Sequence, residues 1–393
     1  MKILFVQHSI GLTGGHRAVL EISRVLSKKG CQTALLHPII HPHFLEYSKP
    51  KTYLNLLKMI LGRIFRGNKI KWFQTEISLF RCWNLHYFVK SKSGKSFLDQ
   101  FDIIVLTSWE TAHAFQNFDN SKSKTIYFVQ HYEAWFMWNN LDYYQGLENP
   151  IDMPASRTLS TKDMKLKHLV DQTYFSADTI FTTSKFLEDL LTKHFNKDNL
   201  VKIPIGNNSE LFSKSTPNKK NKTKTVLFNC RGIPWKGDSF GISVLELLNK
   251  KRPDIDIIVY GKVEQPERLN KFAKVYNNPD DKKLKSLYQM ADLFLFTSRV
   301  EGWGSPPMEA MASKCALVST RVGFLIDYGI ENKNCQFINF GDVCSTVDTI
   351  TKLIDDKHKL AKLSKSGADL IETFTWEKSG NQFFQACKKA ISQ

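Results

Sequence analysis

Short apolar runs recur along this chain, each closed by a polar or glycine-bearing turn and several followed by a stretch of helical periodicity. Residues 3–6, 101–107, 125–130, 175–184, 225–230, 256–261, 291–296 and 316–320 are such runs. Runs of this length suit buried strands, and strands alternating with helices imply parallel sheets covered on both faces. At 393 residues the chain is too long for one ordinary core, so two domains of roughly 200 residues are expected. The pattern predicts α/β architecture, with two doubly wound domains. No run approaches the ~18 apolar residues that a membrane span needs. The start, Met1 to His8, has only four consecutive apolar residues and reads as a first strand, not a signal peptide. Seven scattered cysteines (31, 82, 230, 315, 335, 344, 387) form no C-x-x-C pair. That argues against a disulfide framework or zinc site, and for a reducing cytosol.

One stretch carries chemistry. The apolar run Ala291 to Phe296 is followed by Glu301-Gly302-Trp303-Gly304-Ser305-Pro306-Pro307-Met308-Glu309 and a helical pattern. Ser305 suits a helix cap and Pro306 a first helical position. Strand, glycine loop and helix N-terminus together make an anion site. Pro306 and Pro307 remove two first-turn donors, so an anion would lean on the amides of residues 302–305 and on Met308. A reciprocal capping box would need its acid at 308, which is Met, so Glu309 is available to a ligand. The plain alternative is an ordinary strand-to-helix turn with a solvated Glu309.

This string resembles the E-x7-E motif of retaining glycosyltransferases of the GT-B fold, the family 4 group, which use nucleotide-sugars. Both glutamates, both loop glycines and the Glu309-Ala310-Met311-Ala312 helix match. The resemblance implies two Rossmann-like domains facing a central cleft: residues 1–205 on the acceptor side, a linker over 206–225, a nucleotide-sugar domain over 226–373, and a last helix over 374–393 crossing back onto the first domain. In the family an Arg and a Lys-Gly hold the diphosphate, here Arg231 and Lys236-Gly237. A leaving nucleoside diphosphate gains charge as the sugar bond breaks, and fixed cations stabilise that charge most in the transition state. The same resemblance gives Glu309 to the ribose hydroxyls, Glu301 to the sugar hydroxyls and backbone around Asn277 to the base. Loop amides at Gly14, Gly15, Gly302, Trp303, Gly304 and Ser305 would meet phosphate and sugar. It implies no cofactor and no metal, the nucleotide-sugar (UDP- or dTDP-linked) being a co-substrate. Position 208, commonly Asp after the interdomain glycine, is Asn208 here and receives no role. The family's small residue before strand 316–320 is Lys314 here, which leaves that turn open.

Two strands of the first half end in Ser108-Trp109-Glu110 and His131-Tyr132-Glu133-Ala134-Trp135. Ligands collect beyond the carboxyl ends of parallel strands, so Trp109, Tyr132, Glu133 and Trp135 are acceptor-binding candidates. His131 is a candidate at the reacting face, although a histidine at a strand end is often only packed. Relatives place a histidine here beside the transferred sugar, and the string is similar to that of rhamnosyltransferase-like members.

Net charge is +17, and residues 49–95 hold 11 basic side chains against one acid, Glu76. Residues 51–66 have helical spacing, a wide apolar arc and a basic edge at Lys58, Arg63 and Arg66. That suits an interfacial helix on an anionic membrane, or a helix packed on its own domain with a solvated basic face. The expected partners are a nucleotide-sugar, a glycan or lipid-linked acceptor and an anionic membrane surface, with no nucleic acid. The expected location is cytoplasmic, peripheral on the inner face of the cell membrane. Rival readings are an epimerase or phosphorylase on the same fold, a basic nucleic-acid-binding protein, and a scaffold with a dead donor site. Asp254-Ile255-Asp256 spells D-x-D but begins a strand, so it is discounted as a metal–diphosphate signature. The acidic pairs 280/281 and 355/356 read as helix starts or surface.

Overall fold

In a computed structural model, the described residues are 1–9, 14–40, 77–118, 122–134, 161–207, 212, 223–263 and 266–392. They build two parallel sheets. The first contains Lys2–Val6 (β1), Gln32–Ile40 (β2), Ser78–Asn84 (β3), Ile103–Leu106 (β4), Lys124–Val129 (β5), Thr179–Thr182 (β6) and Leu200–Lys202 (β7). Their order is β3-β2-β1-β4-β5-β6-β7. The second contains Thr225–Cys230 (β8), Asp256–Gly261 (β9), Lys274–Asn277 (β10), Leu293–Phe296 (β11), Ala316–Ser319 (β12) and Gln336–Phe337 (β13), in the order β10-β9-β8-β11-β12-β13. Each sheet reverses its direction of growth beside its first strand, between β1 and β4 and between β8 and β11. At such a point the connecting chains leave to opposite sides and open a crevice beyond the strand ends. The Arg231 turn and the Glu301 loop both leave from the second of these points.

Local sequence chemistry explains the elements. β4, β11 and β12 are buried at every residue, as strands sandwiched between helices must be. The Gly14–Lys28 helix buries Ala18, Val19, Ile22, Val25 and Leu26, an apolar stripe at helical spacing. Ser184 caps the Lys185–Phe195 helix by accepting from Leu187 N. Asp280 and Asp356 cap the next helices by accepting from Lys283 N and Lys359 N. The D-x-D string is structural: Arg252 holds Asp254 together with Asp355, and Asp256 opens β9. The turn before β12 is solved by Lys314 in the left-handed conformation, φ +58.

Three apolar clusters fill the layers. One runs without a break from the first domain (Phe5, Phe128, Phe181) through Ile203, Ile205, Phe212 and Phe374 into the second (Leu227, Phe294, Met308). Another joins Trp235 and Val300 of the second domain to Val6 and Tyr132 of the first. The Trp376–Ser392 helix lies on the Gly14–Lys28 helix. A Cβ at Gly380 would lie 2.4 Å from Val25 Cβ, so only glycine permits this approach. Phe383 is fully buried with its ring 5.9, 5.5 and 5.1 Å from those of Phe5, Phe128 and Phe181. Among the described residues no helix is long and apolar enough to cross a membrane. The segment carrying Lys58, Arg63 and Arg66 lies outside the described residues, as does Trp135.

Phe383→Ala is expected to destabilise the first domain by about 3–5 kcal/mol through transfer and cavity terms. Urea unfolding followed by near-UV circular dichroism measures it, and a loss below about 1 kcal/mol contradicts this packing.

Candidate active site between the domains

The loop after β11 is held on three sides. Thr297 Oγ1 lies 3.1 Å from the carbonyls of both Lys236 and Gly237, and Arg299 N donates to Trp235 O at 2.8 Å. These bonds lay the Pro234–Lys236 turn alongside residues 297–299. Gly237 has φ +71 and a Cβ there would meet Thr297 O at 2.1 Å, so glycine is obligatory. On the other domain, a Cβ at Gly302 would lie 1.9 Å from Gln130 O, while Gly302 O accepts from Ser184 Oγ at 2.7 Å. The loop therefore touches the carboxyl end of β5 and the start of the Lys185–Phe195 helix. Finally, Phe324 N donates to Trp303 O at 2.8 Å.

Within that frame Lys236 Nζ donates to Glu301 Oε1 at 2.6 Å, with side-chain exposures of 22% and 9%. The two residues expected to hold diphosphate and sugar are thus bonded to each other, and His131 stands near them. Burial and the Lys236 charge hold the His131 pKa well below its ordinary value, so the ring is neutral at pH 7. Arg231 is exposed. Its turn is shaped by Asp238, whose Oδ2 accepts from Arg231 N at 2.9 Å and Gly232 N at 2.5 Å. Burial raises the Asp238 pKa, and these amides oppose the rise.

The helix after the loop is Ser305–Ala312, and its preceding residue is Gly304 at φ +93. Ser305 is therefore not the cap but the first helical residue, because the left-handed glycine makes the turn. Its hydroxyl faces the first domain: a Cβ at Gly14 would lie 3.2 Å from Ser305 Oγ, and one at Gly15 would lie 3.4 Å from Gln130 Oε1. Glu309 is not unattached, as the sequence suggested. Tyr288 OH lies 3.1 Å from Glu309 Oε2 and 3.3 Å from Pro306 O, and Tyr260 OH lies 2.5 Å from Tyr288 OH. Burial raises the Glu309 pKa; the Tyr288 hydrogen bond and the charges of Arg17 and Arg231 lower it. Asn277 is exposed at the end of β10.

Other expected ligands are packing residues. Trp303 lends the loop its backbone only: its indole sits against Met308 Sδ at 2.9 Å and on the rings of Phe324 and Phe374. Tyr132 is fully buried, with its hydroxyl 2.9 Å from Asp171 Oδ1, and Trp109 is 7% exposed within the same cluster. Glu133 Oε2 accepts from Trp109 N at 2.5 Å and lies 3.2 Å from Tyr127 OH. Burial and the Glu110 charge raise its pKa well above the carboxylate range. These three serve the interior, packed or hydrogen-bonded beyond the ends of β4 and β5. Sequence reasoning missed Asp238, Tyr260, Tyr288, Ser184 and Arg17. Only Asp238 left a signal, an acid at the helix start directly after Lys236-Gly237. Among the described residues no group of three or more His, Cys, Asp or Glu could hold a metal ion.

Residues 210–369 match the family model described as glycosyl transferases group 1. The chain is 24% identical over 201 residues to the uncharacterized glycosyltransferase YqgM of Bacillus subtilis, covering 49% of this chain and 55% of that protein. It is 23% identical over 228 residues to the MMP alpha-(1->4)-mannosyltransferase of Mycolicibacterium hassiacum, covering 55% of each. The chain therefore spans about half the length of these curated relatives. Anabaena Alr3699/HepE in complex with UDP superposes with a TM-score of 0.70 at 14% identity, covering 99% of this chain and 100% of that one. At that identity the likeness establishes the GT-B fold alone.

A histidine with a depressed pKa leaves the unfolded chain to bind the extra proton. Its penalty is absent above the unfolded value near 6.5 and grows as pH falls from there towards the folded value. Stability is therefore expected to fall below about pH 6.5, and His131→Gln to flatten part of that fall. His16, lowered to about 4 chiefly by burial, retains its share. An unchanged pH slope in urea melts contradicts this placement of His131.

Proposed function

We propose, from the match of residues 210–369 to the group 1 glycosyl transferase model, that this protein transfers a sugar from a nucleotide-sugar to a cell-envelope glycan or lipid-linked acceptor. The observation that carries the reading is the Lys236–Glu301 bond at the domain junction, with an exposed Arg231 and the Tyr288-held Glu309. Arg231 supplies a fork and Lys236 a point charge for a diphosphate. Glu309 accepts from the ribose hydroxyls and Glu301 from the sugar hydroxyls. Amides of residues 302–305 and of Gly14 and Gly15 meet phosphate and sugar. A neutral His131 offers the reacting face a hydrogen bond without adding charge beside Lys236.

The donor is a UDP- or dTDP-sugar. The UDP bound by HepE supports that class. The reaction retains anomeric configuration without a metal: the leaving diphosphate is stabilised by Arg231, Lys236 and loop amides, and the acceptor attacks from the same face through an ion-pair-like transition state. The acceptor lies on the first-domain side of the cleft. An anionic membrane surface would bring a lipid-linked acceptor within reach, and the basic run over 49–95 supports that arrangement.

A nucleotide-sugar that occupies this site should raise the melting temperature in a saturable way. Glu309→Ala is expected to weaken that binding about tenfold or more, since two hydrogen bonds to ribose are lost. Absence of a shift with any UDP- or dTDP-sugar, or equal affinity in the variant, contradicts the proposal.

A further inference from the structure

The Gly14–Lys28 helix belongs to the first domain, yet its opening turn faces the second. Gly14 lies against Ser305. Three residues on, Arg17 Nη2 lies 3.4 Å from Asp281 Oδ2, across 264 positions of sequence. Asp281 opens the Asp281–Met290 helix, and the same helix carries Tyr288, whose hydroxyl meets Glu309. Arg17 is the cation whose charge acts most on Glu309, ahead of Arg231. One guanidinium from the first domain therefore meets an exposed carboxylate of the second, on the helix whose Tyr288 holds Glu309. As a stabilising ion pair the Arg17–Asp281 contact has little value, because exposed pairs contribute little. Its geometry matters more: it fixes the Arg17 guanidinium at the start of the Asp281–Met290 helix.

We propose that Arg17 is a positioning residue of the donor pocket, acting from the first domain on Glu309 of the second. Asp281 holds the guanidinium in place. This rests on the reading of Glu309 as the ribose ligand. Glu309 is faced by Tyr288 and, behind it, Tyr260, by Asp281, and by the charges of Arg17 and Arg231. Burial and Asp281 favour its protonated form; Arg17, Arg231 and the Tyr288 hydrogen bond favour the carboxylate that ribose hydroxyls need. Removing Arg17 shifts that balance towards protonation. The pH below which nucleotide affinity is lost then moves upward.

Calorimetric titration with UDP between pH 5.5 and 8.5 tests this in the full chain and in Arg17→Ala, Arg17→Lys, Asp281→Asn and Glu309→Gln. Arg17→Ala should weaken UDP about tenfold at the acid end, less at the alkaline end. Arg17→Lys should recover most of the loss; Asp281→Asn releases Arg17 but also removes a charge that favours protonation, so it should show at most a small fraction of it. In a Glu309→Gln background Arg17→Ala should add nothing further. A pH-independent loss, or the full loss in the Glu309→Gln background, would mean that Arg17 touches the nucleotide itself and overturns the proposal. Wild-type binding with Arg17→Ala unaffected overturns this inference alone. No UDP binding by the wild type, or equal binding by Glu309→Gln, overturns the parent reading and this one with it.

Discussion

The bond between Lys236 and Glu301 is the interaction on which the site depends. It joins a 3-10 turn after β8 to a loop after β11, and it sits where that loop meets the first domain. Both side chains are mostly withdrawn from water, so loss of either partner leaves a costly unpaired charge. The pair exists because Gly302 has no side chain to hold the loop off Gln130, and because Thr297 and Gly237 lock the two loops side by side. On the proposed roles, a cation for a diphosphate and a carboxylate for a sugar are therefore stored against each other. A bound donor has to divide them.

The fold around this bond works as a brace. Trp303, inside the motif, packs on Phe324 and Phe374. Phe374 O in turn accepts from Asn207 N at 3.0 Å, where the chain passes between domains. The last helix then leaves the second domain and buries Phe383 in the first. The Glu301 loop is thus steadied by the same residues that tie the domains together. Loop geometry and domain apposition are coupled by packing, and the Ser184–Gly302 bond adds a polar contact of the same kind.

The strand–helix alternation was legible in the sequence because parallel strands buried on both faces must be continuous apolar runs. Glu301, Arg231 and Lys236 could be singled out because they follow the ends of those runs, and the structure brings Lys236 and Glu301 together. Tyr260, Tyr288 and Arg17 were not, since each reaches the site through tertiary juxtaposition and none belongs to a local pattern; Ser184 is legible as a helix cap, but its bond to Gly302 O is not. Tyr132, Trp109 and Glu133 misled for the opposite reason. An aromatic or acid beside a strand end has the composition of a ligand, and only burial distinguishes it from a core residue. Ser305 was a subtler case: Ser-Pro suits both the cap and the first turn, and the positive φ of Gly304 decides between them.

The most direct test of this account is the affinity for UDP of the wild-type protein and of Glu301→Gln, measured by calorimetry alongside the transfer rate. If Lys236 is shared between Glu301 and the diphosphate, removing the Glu301 charge frees the lysine and lifts a repulsion. UDP should then bind at least about threefold more tightly, while transfer slows for want of the sugar ligand. Unchanged or weaker UDP binding in Glu301→Gln would contradict it.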